Sequence, residues 1–179
     1  MTPMHPRIKH HDYSGIAVLA ALACFSGPCA NSQAPAAAPP ETVQWHVTVA
    51  PPATAQAGQR TAIELTGQIL AGWHVYGLKQ HADGPTELRF KVDDNQVAQQ
   101  LGVPTGTATL RRVDPGFGFE IQYYTDSLKL SLPIEVKPQA VAGKHQIPVS
   151  VRFQSCSERI CLPPATVHLL VDIDVQPHV

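Results

Sequence analysis

Beyond its first thirty residues, this sequence has no apolar run long enough to cross a bilayer as a helix, which takes roughly 20 residues. It also has no internal repeat and no sustained helical stripe. Val97 and Leu101 suit one face of a single short turn and nothing longer. Charge of either sign is sparse and balanced, with 13 Lys and Arg against 14 Asp and Glu and a net charge of −1. The basic residues are scattered, so the one-sided footprint of a nucleic-acid binder is missing. What is plentiful is proline and glycine, 17 and 12 in 179 residues, which suits a β protein rich in turns. An apolar fraction of 44% is enough for one packed core.

The N-terminus reads as a secretory signal over residues 1–30. Arg7 and Lys9 give a positive start, residues 16–25 are an unbroken short apolar core, and small residues lead to a cut after Ala30. An alternative is a lipoprotein box at Ala21-Leu22-Ala23-Cys24, which would make Cys24 a lipid anchor. On the first reading Cys24 and Cys29 leave with the signal. Residues 31–41 (NSQAPAAAPPE) lack the large apolar side chains a core needs and read as a tether. The folded domain is then residues 42–179, exported to the periplasm.

Within that domain the hydrophobic period is two. Leu128, Leu130, Leu132, Ile134 and Val136 alternate with mostly polar residues, as do Ile147, Val149, Val151 and Phe153. Val167, Leu169, Val171, Ile173 and Val175 do the same. Shorter runs of this kind occupy residues 43–49, 62–69, 73–78, 87–92 and 119–124. Period two buries one face of each strand, so two sheets must pack face to face. About eight strands with turn signals between them predict an all-β, immunoglobulin-like β-sandwich. Pro133 and Pro148 fall on the polar parity of their strands, which predicts an edge or a position whose N–H is not needed.

The chemistry is concentrated in FQSCSERICLPPAT, residues 153–166. Four residues separate Cys156 from Cys161, in the connection between two neighbouring strands. In an oxidising compartment two such cysteines form a disulfide. A loop this short gives only about 2 kcal/mol of chain-entropy stabilisation, against roughly 4–5 for a bridge spanning the domain. A bridge in a surface connection is also open to attack by an outside thiolate. Spacing alone leaves a redox pair and a structural clip equally open. Parity carried past Phe153 puts Cys156 on the polar face, and parity counted back from Val167 puts Cys161 on the core face. Arg152 and Arg159 would lower a nearby thiol pKa and Glu158 would oppose them. A zinc or copper site using His145 and His168 is a further alternative, although His168 falls on the exposed parity of its strand.

Three segments resemble the periplasmic N-terminal domain of the thiol:disulfide interchange protein DsbD. They are Gly72-Trp73-His74-Val75-Tyr76 with Gly84-Pro85-Thr86, then Asp114-Pro115-Gly116-Phe117-Gly118, then Phe153-Gln154-Ser155-Cys156 with Cys161-Leu162-Pro163-Pro164-Ala165-Thr166. The resemblance implies an immunoglobulin-like sandwich with the pair at one end and electron relay by thiol–disulfide exchange. It implies that Cys161 forms the bond to the partner and Cys156 resolves it, with no cofactor and no metal. It also implies an aromatic cap over the sulfurs, for which Phe117 between Gly116 and Gly118 is the candidate. Trp73 and Tyr76 suit the wall or core of such a site. His74, sharing parity with Tyr76, suits a proton donor or acceptor.

The partners implied are thioredoxin-fold redox proteins or a separate membrane thiol transporter, because this sequence itself contains neither of the domains that follow in full DsbD proteins. The competing expectation is a non-enzymatic exported binding module in which the disulfide is only a clip.

Overall fold

The computed structural model describes residues 41–177, so the signal, residues 31–40 of the tether, Cys24 and Cys29 lie outside the described residues. Thirteen strands and no helix make up the described chain. They are β1 (Val43–Val49), β2 (Thr54–Gln56), β3 (Arg60–Ile69), β4 (Trp73–Tyr76) and β5 (Arg89–Val92). Next come β6 (Ala98–Gln100), β7 (Thr105–Gly106), β8 (Leu110–Val113) and β9 (Glu120–Tyr124). The last are β10 (Ser127–Val136), β11 (Gly143–Phe153), β12 (Ser155–Ser157) and β13 (Ala165–Gln176).

Two sheets form the sandwich. One has the order β1-β3-β10-β6 with β7 also on β10, and the other has the order β2-β13-β11-β5. The alternation read from the sequence is the alternation of burial. Leu130, Leu132, Ile134 and Val136 of β10 are buried, and so are Ile147, Val149 and Val151 of β11. Each such side chain, moved out of water, contributes about 1.5–3 kcal/mol. In β13 the rule holds only for Val171, Ile173 and Val175; Val167 and Leu169 are half-buried.

Both strand prolines lie on interior strands. The Pro133 carbonyl, on the side where its N–H would be, accepts from Leu101 N just past β6. The missing donor therefore faces the gap between β6 and β7. Likewise Pro148 accepts from Asp93 N just beyond the end of β5. Residues 98–100 are a strand on β10, so the helical turn expected around Val97 and Leu101 does not form. Backbone pairing with the open side of β10 outweighs a weak local period of two apolar residues.

The sequence reading of two sheets needs a third. Strands β12-β4-β9-β8 form a separate four-stranded sheet. Its faces do different jobs. Val75 and Tyr124, register partners, point into the main core. Tyr76 and Tyr123, also partners, lie on the opposite face, and there Tyr76, Ile121 and Cys156 form a second buried cluster. Phe119 and Tyr123 pack against it. An aromatic contact ties the two sandwich sheets together near the end of β11. The Trp45 ring stacks edge-on against Phe153 at 5.2 Å, and it sits so close over Gly67 that a Cβ there would lie 2.6 Å from it.

Candidate functional site

The connection from β11 to β13 changes sheets. After Phe153, the chain leaves β13 and β5 and pairs with β4, so that Ser155, Cys156 and Ser157 lie opposite Val75, His74 and Trp73. Gln154 holds the switch. Its backbone carbonyl accepts from Tyr76 N at 3.4 Å, its side-chain amide donates to Leu162 O, and its side-chain oxygen accepts from Thr86 N at 3.0 Å. The three segments singled out in the sequence thus meet at one end of the molecule.

Residues 156–161 form a small hairpin. Cys156 and Cys161 make an antiparallel bridge and a disulfide, with Cα atoms 4.0 Å apart. Ser157 shapes the turn, its hydroxyl accepting from Arg159 N and Ile160 N. Cys156 is 1% exposed, whereas Cys161 is on the surface beside exposed Ile160. This reverses the sides that strand parity predicted. Parity was carried across a change of sheet, and the register restarts at Ser155.

Tyr76 lies under the disulfide. Its hydroxyl donates to Cys156 Sγ at 3.1 Å and sits 3.8 Å from Cys161 Sγ. Burial, helped by Asp114, pushes the phenol pKa up, so the group stays a protonated donor. His74 is 95% buried and faces Cys156 across the ladder. Tyr76 and Tyr123 meet its ring edge-on, with centroids at 5.3 and 5.5 Å. Its Nε2 is buried without a hydrogen-bond partner. Burial and then the Arg112 charge hold its pKa below the usual 6.5, with Glu158 and Asp114 opposing.

Arg112 and Tyr123 went unnoticed in the sequence. The Arg112 guanidinium lies 5.1 Å over the Tyr123 ring, ion-pairs with Glu158 in the cysteine hairpin at 3.1 Å, and reaches Asp114 at 3.9 Å. It straps the outer face of the small sheet to the cysteine hairpin. A hairpin signal was present, since two short apolar-flanked runs, residues 110–113 and 120–124, surround the turn residues Asp114-Pro115-Gly116. By contrast, Arg152 lies opposite Arg89 on β5, and Arg159 is exposed at the hairpin tip.

Trp73 points away from the sulfurs and packs against the main core. Phe117 is 38% exposed in the loop between β8 and β9, its ring 5.7 Å from Phe119, which in turn meets His81. Asp114 organises this loop by accepting from Gly116 N, and Gly118 completes it at φ 75°. His145 sits at the far end of β11 against Val141 O, and His168 is bound to Ser150. Neither joins the cysteines. No helix of the described residues is long and apolar enough to cross a membrane.

The neutral buried imidazole has a consequence for stability. Its folded pKa lies below the unfolded value of 6.5, so the unfolded chain takes up a proton first as pH falls. Stability is full above pH 6.5 and declines as pH drops through the folded pKa. Urea midpoints of the wild type are expected to fall between pH 6.5 and about 5, above most carboxylate titration, while His74→Gln flattens that slope. Equal slopes would remove His74 as the cause.

Comparison with known proteins agrees with the all-β fold. The family described as "Thiol:disulfide interchange protein DsbD, N-terminal" matches residues 42–173. Among solved structures, the fold resembles the N-terminal periplasmic domain of ScsB from Proteus mirabilis, at 15% identity and a TM-score of 0.50. That match covers 76% of this chain and 47% of the other, so the chain spans about half that structure's length. A family 123 glycoside hydrolase from Clostridium perfringens aligns at 8% identity and a TM-score of 0.30, over 69% of this chain and 23% of its own. No curated protein sequence matches.

Proposed function

Because the chain belongs to the DsbD N-terminal family of thiol:disulfide interchange domains, matched over residues 42–173, we propose that it is a periplasmic relay carrying electrons through Cys156 and Cys161. Its partners are thioredoxin-fold proteins or a separate membrane thiol transporter.

The reading rests on one observation above the others, the unequal exposure of two bonded sulfurs. A partner thiolate attacks the exposed Cys161 Sγ. A Cys161–partner disulfide forms, the Cys156–Cys161 bond breaks, and its electron pair leaves on Cys156. A second thiol of the partner then attacks the mixed disulfide and releases reduced protein. Client reduction runs the same steps backwards, with Cys161 thiolate attacking and Cys156 resolving. Exposed Ile160 in the hairpin suits contact with a protein rather than a small polar thiol. Phe117, in a loop with a left-handed glycine, serves as the movable aromatic guard of the sulfurs.

The deciding experiment is the reduction potential, measured by equilibration with glutathione and counting of alkylated thiols. A relay is expected between about −120 and −270 mV, the span of exchange proteins. A bridge that stays oxidised below about −300 mV is a structural clip, and the proposal fails.

A further inference from the structure

We propose that His74 takes the proton from the buried Cys156 thiol as that sulfur closes on a partner held by Cys161. The proposal rests on the exchange reading above and adds to it the group that makes resolution possible. A buried thiol is a poor nucleophile until it loses its proton, and Cys156 is 1% exposed. Tyr76 touches Cys156 Sγ with a hydroxyl that burial keeps protonated, so it holds the sulfur but is no base for its proton.

His74 is the register partner of Cys156 on the same sheet face, and directly opposed residues hold their Cβ atoms about 4.5–5.5 Å apart. Its Nε2 is buried and unpartnered. A buried polar atom without a partner costs about 1–3 kcal/mol and needs a reason. The oxidised form supplies one, because disulfide sulfurs carry no proton to share. In the dithiol, Cys156 gains an S–H across the ladder from the residue that carries this nitrogen.

The step balances. The Cys156 proton passes to His74 Nε2, giving an imidazolium. The Cys156 thiolate attacks Cys161 Sγ, the Cys156–Cys161 bond forms, and the Cys161–partner bond breaks. The electron pair leaves on the partner's sulfur, which takes a proton from the imidazolium or from solvent. The groups facing His74 suit this cycle: Tyr76 on its own strand, Tyr123 on β9, Arg112 on β8, Asp114 beyond it and Glu158 in the hairpin. Burial, and then Arg112, keeps the resting imidazole neutral and ready to accept, while Glu158 and Asp114 temper the cost of the transient cation.

The test uses the full chain with Cys24→Ser and Cys29→Ser, so that only the pair reports. Reduced protein is mixed with dithiobis(nitrobenzoate) in a stopped-flow instrument between about pH 5 and 9. The first release of nitrothiobenzoate reads attack by Cys161 and the second reads closure by Cys156. In the wild type the second rate should level off above a break that lies below 6.5. His74→Gln should lose the break and close at least about tenfold more slowly at neutral pH, with the first release unchanged. Arg112→Gln keeps the imidazole and should move the break to higher pH. A His74→Gln profile within about twofold of wild type at every pH overturns the proposal. So does an Arg112→Gln break that stays in place. If the wild type gives no second release, the relay reading itself fails.

Discussion

Cys156→Ser is expected to accumulate a stable mixed disulfide with a thioredoxin-fold partner, and Cys161→Ser is expected to accumulate none. With Cys24 and Cys29 also replaced by serine, both variants keep one thiol, so cysteine content does not explain the difference; position does. Cys161 stands on the surface at the end of the hairpin, whereas Cys156 is 1% exposed beneath it, held by the Tyr76 hydroxyl. An incoming sulfur must approach along the axis of the bond it breaks, and only the Cys161 side is open to solvent. The serine that replaces Cys156 can keep the Tyr76 hydrogen bond, so the hairpin retains its shape while losing the resolving sulfur. Non-reducing gels of each variant mixed with a thioredoxin bearing a single active-site cysteine read the result. Alkylation of the reduced wild type gives an independent check. Cys161 should label at least about tenfold faster than Cys156, which reacts only through local opening. Equal labelling, or trapping by Cys161→Ser alone, would reverse the assignment of attacked and resolving sulfur.

Tyr76→Ala is expected to cost about 3–5 kcal/mol of stability, the range for truncating a large buried aromatic. Tyr76 is 1% exposed and is the largest member of the second cluster, touching Ile121, Cys156 and the edge of the His74 ring. Tyr76→Phe keeps the ring and loses only the hydroxyl, at about 1 kcal/mol or less, since sulfur is a weak acceptor and demands little. The same change should raise the pKa of the Cys156 thiol in the dithiol form, because a hydrogen bond to the thiolate has gone. Urea unfolding of both variants reads the first effect, and thiolate absorbance against pH reads the second. Equal destabilisation by Phe and Ala would mean that the hydroxyl, not the ring, holds the site together.

Period-two alternation was enough to identify β10 and β11 and to predict which of their side chains are buried, because a strand packed on one side has no other way to hide apolar residues. It failed for residues 98–100, 110–113 and 155–157, strands of three or four residues that are too short to show a period. Their pairing is imposed by neighbours that are distant in the chain. The site divides the same way. The cysteine pair, Tyr76 and His74 stood out in the sequence, but Arg112 reaches Glu158 across 46 positions of chain, and no local pattern announces such a contact.

What the sequence by itself determined is the all-β class, the family and the cysteine pair of the candidate site, since alternation and a local motif are written in consecutive residues. Only the tertiary structure decided which sulfur is buried. The chain changes sheets at Gln154, and a strand's parity has meaning only within the sheet whose hydrogen bonds define its faces.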